Sequence, residues 1–194
     1  MTRRTRTMAG VFVVLASLGL VGCGNPPQPP PPPAAPSPTR PALPPRPAVL
    51  RLDKVNPCDL LTPAQVSELN TDAGVVGSNN DGLGSRDCLW QRYPAKPDDA
   101  WVARVILKQG AETYLSDTSR VTQVAGISAV ETSSDQHNPA WHCLLYIDVA
   151  PGQSLEVQYS NETGDHPGLN HAVACQLAAD AAQLMLSNLR AGAH

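Results

Sequence analysis

The chain has 194 residues, with 17 Asp and Glu against 14 Lys and Arg, 20 prolines and a single phenylalanine. That length suits one ordinary domain with a tail. The acidic balance and the lack of a basic stripe exclude a surface that neutralises nucleic-acid phosphates or adheres to anionic lipid headgroups.

The chain opens as an address. Arg3, Arg4 and Arg6 precede an apolar run over residues 8–21, which is the basic-then-apolar pattern of a secretory signal. The run is shorter than the roughly 20 residues a spanning helix needs, which weighs against an uncleaved anchor. Leu20-Val21-Gly22-Cys23 fits a bacterial lipobox, in which a cysteine after a small residue takes diacylglycerol on its thiol and becomes the new N-terminus. Residues 1–22 are therefore expected to be a lipoprotein signal peptide, and Cys23 the lipidated residue. That address is the outer, extracytoplasmic face of the cell membrane. Cleavage would leave 172 residues and shift the formal charge from −3 to −6.

Residues 24–47 are low in complexity, with a nearly unbroken proline run over 26–33. Proline fixes φ and removes the backbone donor, so this stretch is expected to be an extended polyproline II spacer. At about 3.1 Å per residue, residues 24–50 would reach roughly 80 Å. PxxP also suits aromatic-grooved recognition domains, but a spacer explains the composition without a partner. The expected organisation is a lipidated, Pro-rich tether over 23–54 and one α+β domain over 55–194. From Pro57 onward 16 acidic residues stand against 7 basic ones, which reads as a solvated surface.

Within that domain, Thr62-Pro63-Ala64-Gln65 predicts a helix start. Thr62 caps, Pro63 suits the first helical position and Gln65 completes a capping box, with Leu61 and Val66 placed as a hydrophobic staple. The helix is expected to run to about residue 70, with turn and loop at Gly74 and 77–84. Strands are expected at 86–93, at 101–108 with Arg104 and Lys108 on a partly wet face, and more weakly at 127–132. Residues 111–117 read as a short helix. Strands at 141–149 and 154–159 flank a Pro151-Gly152 hairpin turn. On the first of these, Trp141, Cys143, Leu145, Ile147 and Val149 share a face. A final helix is expected from about 168 to 190, with Ala172, Cys175, Ala179, Ala182, Leu186 and Leu189 as its apolar stripe, Arg190 near its end and Gly192 closing it.

Beyond Cys23 the cysteines are Cys58, Cys88, Cys143 and Cys175. An even number in an exported chain predicts two disulfides, and no C-x-x-C pair supports structural zinc. Four cysteines allow three connectivities. The placement of Cys175 on the helix stripe and Cys143 on a buried strand face favours Cys143–Cys175, leaving Cys58–Cys88. The fold expected is α+β: an antiparallel sheet of about five strands, an N-terminal helix, a long C-terminal helix and two disulfides.

Catalytic motifs are lacking: the chain has no G-x-S-x-G, H-E-x-x-H, P-loop or S-x-x-K. Gly126-Ile127-Ser128-Ala129 lacks the last glycine of a nucleophile elbow. His137, His142, His166 and His171 lack paired-histidine zinc spacing and read as loop residues. Asn79-Asn80-Asp81-Gly82 only echoes a calcium loop, and Asn161-Glu162-Thr163 is a chance match to a glycosylation acceptor. No catalytic residue, metal or cofactor is assigned.

Pro57-Cys58-Asp59-Leu60-Leu61-Thr62-Pro63, Cys88-Leu89-Trp90 and Cys175-Gln176-Leu177-Ala178-Ala179 together resemble the actinobacterial lipoproteins grouped as domain of unknown function 3558. The resemblance covers about residues 55–190 and implies a small α+β domain outside the cell membrane. Eleven arginines against three lysines agree with a high-GC genome. The resemblance brings no activity and no catalytic residue.

Trp90, Trp101 and Trp141 lie on expected strands and read first as core, with a ligand groove as the alternative. A narrow, alanine-rich helix would leave apolar sheet surface near Trp90, Val102 and Ile106, a candidate binding face. The expected function is a membrane-anchored, non-catalytic domain that binds a small apolar ligand or an envelope protein. The rivals are an envelope enzyme whose site no motif marks, and an accessory subunit of an envelope complex.

Overall fold

The computed structural model describes residues 42–77, 81–92, 94, 97–133 and 141–192. The signal segment, Cys23, the proline run, Asn79, Asn80 and His137 lie outside the described residues.

Seven antiparallel strands form one sheet: β1 (Val75–Gly77), β2 (Arg86–Gln91), β3 (Asp99–Ile106), β4 (Arg120–Val124), β5 (Ile127–Thr132), β6 (His142–Ala150) and β7 (Gln153–Asn161). Their order is β1-β2-β3-β7-β6-β5-β4. The fold is α+β as expected, but the sheet has seven strands and not about five. The two additions are its edges. β1 is three residues long and mostly exposed, too short for a period-two pattern to register. β4 buries Val124 at its end and turns into β5 through Ala125 (φ 49°) and Gly126 (φ 79°). Two left-handed residues make the hairpin turn whose twist matches the strands, yet Ala-Gly lacks the Asn-Gly signature that advertises it.

The short helix α1 (Pro63–Glu68) begins as expected: the Thr62 hydroxyl accepts from the Gln65 N–H, and the Gln65 side chain accepts from the Thr62 N–H. It stops before residue 70, where Asn70 takes a left-handed φ of 54°. Helix α2 (His171–Ala191) is capped by the Asn170 side chain, which accepts from the Val173 N–H, and by Gly192 in left-handed conformation. Its buried stripe is broader than the sequence suggested. Ala174, Ala178, Ala181 and Met185 join Cys175, Ala182, Leu186 and Leu189, while Ala172 faces solvent. Alanines let the helix approach Cys143, Leu145, Ile147, Leu155 and Val157 closely, and all of these are buried.

Both disulfides join the expected partners. Cys58–Cys88, with Cα atoms 5.1 Å apart, ties a 3₁₀ turn (Pro57–Leu60) to β2. Cys143–Cys175, with Cα atoms 5.0 Å apart, ties α2 to β6. Each closes a loop of about 30 residues, worth roughly 3–4 kcal/mol in the chain-entropy model.

The sheet face away from α2 is not wet at its centre. β6 and β7 are buried on both faces, including Leu144, Asp148, Ser154 and Glu156. Part of the cover comes from a second 3₁₀ turn (Ala111–Tyr114), where Tyr114 stacks on Tyr146 with ring centroids 3.5 Å apart. Part comes from the chain around Arg46, which pairs with Asp148, while further along Leu50 and Leu52 join the core on the α2 side, the Leu50 N–H donating to the Val149 carbonyl at 2.8 Å.

Close approach of α2 depends on small side chains, so Ala178→Leu should destabilise the domain by about 1–3 kcal/mol through overpacking. Urea denaturation measures this; an unchanged midpoint would mean that α2 can lift from the sheet freely.

Candidate functional site

The edge of the sheet carries a groove of about 540 Å³ between α1 and the chain leading into β1. Leu61, Val66, Ala73 and Trp90 provide apolar wall, and Ser67 stands at α1's exposed side. The wall after α1 is held at two places. Thr71 donates both its N–H and its hydroxyl to the Val66 carbonyl. Arg92, just beyond β2, donates to the Asn70 side chain at 2.8 Å, the Thr71 carbonyl at 3.3 Å and the Asp72 carboxylate at 3.2 Å. One guanidinium thereby fixes the segment's backbone and two of its side chains.

At the base of the groove the chain passes Trp90 very closely at Gly74. A Cβ at Gly74 would lie 2.7 Å from the Trp90 indole nitrogen and collide with Cys88 Sγ. Only glycine permits this passage. Trp90 is fully buried, and its indole N–H has no acceptor among the described residues. A buried donor left unpaired costs about 1–3 kcal/mol, a cost that an acceptor arriving beside it would relieve.

The sheet separates the three residues of the candidate binding face. Trp90 points to the α2 side and is fully buried; Val102 and Ile106 share the opposite face, where Ile106 is buried and Val102 half-buried. Val102 continues an apolar row across the edge strands through Leu89 to Val75, which are 38% and 65% exposed. Trp101 is core, its indole donating to the Leu177 carbonyl at 3.4 Å. Ser128 is buried on β5, and Asn161 is buried with its amide donating to Asp99 and Asp165, so the sequon is no surface acceptor.

Two polar clusters carried no motif. On the face away from α2, Arg104 lies 3.3 Å from Glu156 and 3.7 Å from Asp87. Burial pushes the Glu156 carboxyl above its ordinary range even though Arg104 opposes the shift, and burial likewise raises the Tyr146 phenol. In the second cluster Asp99 accepts from the Tyr159 hydroxyl at 2.5 Å and from Asn161 at 2.9 Å, and faces His166 Nδ1 at 2.9 Å. Burial, with the hydrogen bond to Asp99, pushes the Tyr159 phenol well up. A carboxylate-oriented imidazole is one component of general-base chemistry. Here the same contacts bind the 162–168 loop to β3 and β7: Asn161 Oδ1 accepts from the N–H groups of Gly164 and Asp165, and Asp165 accepts from the Asp98 N–H.

Comparison with known families matches residues 18–188 to the family described as Protein of unknown function (DUF3558), and the chain belongs to that family. No curated protein and no solved structure matches. Two of the motifs that carried the resemblance meet at the groove: Cys58, Asp59, Leu61 and Pro63 come from one, Trp90 from the other.

The Glu156 environment sets a pH dependence. A carboxyl raised in the folded chain stabilises it below the ordinary carboxyl range, and that contribution is lost as pH rises through the folded pKa. Glu156→Gln should therefore gain thermal stability over the parent near about pH 7, with the gain vanishing near about pH 4. Melting curves at the two pH values test this; a constant difference would place the effect elsewhere.

Proposed function

We propose that this family member is a lipid-anchored, extracytoplasmic binding domain that holds a small, largely apolar ligand in the groove beside α1, without chemistry of its own. The observation that carries the binding assignment is the unpaired, buried indole N–H of Trp90 at the base of an apolar-walled groove. Ligand pockets combine apolar walls with a few placed polar groups, and this one offers a single donor with carboxylates and hydroxyls nearby. Anchoring rests on the Leu20-Val21-Gly22-Cys23 sequence and the actinobacterial envelope on the family motifs. No helix among the described residues is long and apolar enough to cross a membrane.

A second reading is a protein partner in place of the small molecule. It is favoured by the exposed apolar row Val75, Leu89 and Val102 at the sheet edge, since contiguous apolar surface marks interaction sites.

Two measurements test these readings. Cys23→Ala should release the chain from membranes or leave its precursor uncleaved; normal processing with membrane retention would refute lipidation. In parallel, mass spectrometry of material copurifying with the detergent-extracted protein should find a small molecule that Ser67→Trp, at an exposed position, removes while the domain stays folded by circular dichroism. The same complement on both proteins would overturn the groove assignment, and a copurifying protein lost with Leu89→Asp would favour the edge row.

A further inference from the structure

On the other flank of the sheet, α2 begins with His171 and reaches Cys175 one turn later, so both side chains fall on one face. Cys175 is bonded to Cys143, and His171 Nε2 lies 3.5 Å from Cys175 Sγ. The ligand atoms of Cys143, His171 and Cys175 lie within 4.8 Å of one another. His171 Nδ1 sits 3.1 Å from the His142 carbonyl, an acceptor only. Such an outer contact orients metal-binding imidazoles, and here the Nε2 edge of the ring is turned toward the sulfurs. Glu131 Oε1 lies 3.7 Å from His171 Nε2, and Arg120 fixes the Glu131 carboxylate through contacts of 2.6 and 3.2 Å. A cavity of about 410 Å³, lined by Arg120, Glu131 and Cys175, leads to the group.

We propose that the Cys143–Cys175 bridge covers a thiolate–imidazole metal site: once a thiol donor opens it, Cys143, Cys175 and His171 bind a borderline-soft divalent cation such as zinc, with Glu131 beside the fourth position. Opening takes two equivalents of thiol, R–SH, which leave as R–S–S–R while Cys143 and Cys175 each gain a hydrogen. Cation binding then expels the two thiol protons. Two sulfurs, one imidazole and a carboxylate or water form a set that zinc accepts in tetrahedral geometry. A tetrahedral zinc would hold the sulfurs roughly 3.7 Å apart, a separation that side-chain rotation can supply with β6 and α2 in place. The chain thus has one state in which this corner is closed covalently and another in which a metal closes it.

Cobalt(II) is the probe, because tetrahedral thiolate coordination gives it a sulfur-to-cobalt charge-transfer band and intense visible d–d bands. The full chain in detergent is titrated before and after reduction with a phosphine and removal of the excess. The expected result is one cobalt per chain after reduction, with the tetrahedral spectrum, and none before it. Reduction also frees Cys58 and Cys88, so His171→Ala is the discriminating variant; its side chain is 42% exposed and the substitution leaves the core intact. It should weaken cobalt binding at least about tenfold. Equal uptake by oxidised protein, equal affinity in His171→Ala, a reduced chain without the tetrahedral spectrum, or one that unfolds and does not refold on adding cobalt would each overturn the proposal.

Discussion

The pairing of β6 with β7 is the constraint on which the remaining structure rests. Their registers run from His142↔Ser160 to Ala150↔Gln153 around the Pro151-Gly152 turn, with one irregularity between Ile147 and Ala150. Both strands are buried on both faces, which leaves little freedom for a slip, because a one-residue shift would exchange Leu145 and Val157 for Tyr146 and Glu156 on the helix side. α2 closes one side of this pair and is bonded to it through Cys143. The Ala111–Tyr114 turn and the segment holding Arg46 close part of the other. The outer strands add to a frame already fixed, and toward β1 burial thins until Val75 and Val76 are mostly exposed.

That gradient explains what could be read from the sequence. Strands near the centre announce themselves because one face must be apolar: Cys143, Leu145, Ile147 and Val149 alternate, as do Leu155, Val157 and Tyr159. α2 announces itself by length and by its Asn170 and Gly192 ends. β1 and β4 escape because a short edge strand buries too few side chains to create a period. The opposite face misleads for another reason. Arg104 and Lys108 suggest solvent, but Arg104 is half-buried against Glu156 and Asp87 while Lys108 is exposed. A charged residue whose partners lie 17 and 52 positions away in the sequence cannot be told locally from a solvated one.

The groove was less legible than the fold. Its wall depends on how near the backbone comes to Trp90 at Gly74, and a glycine that permits close approach looks like any turn glycine. Trp90 stood out as a large aromatic, but its strand parity toward Cys88's neighbours was needed to place it away from Val102 and Ile106. The His171–Cys175 spacing is plain in the sequence, yet it carries no zinc signature, because paired-histidine motifs do not include a cysteine that forms a bridge. The Asp99–Tyr159–Asn161–His166 cluster joins Asp99 to a segment at least 60 positions further along the chain, so it makes no local pattern.

The two bridges are consecutive: Cys58–Cys88 closes before Cys143 is reached along the chain, and neither loop encloses the other. A polypeptide delivered N-terminus first, from a ribosome or through a narrow channel, presents Cys58 and Cys88 together while Cys143 is still about 55 residues behind. Among the four cysteines of the domain, with Cys23 committed to lipid as proposed, the earliest available partner is then the native one at each step, and the order of emergence itself selects one pairing out of three. Such a chain needs no shuffling of mispaired intermediates to reach its final connectivity, and an oxidant that acts rapidly on each newly exposed pair serves it as well as a slow and discriminating one.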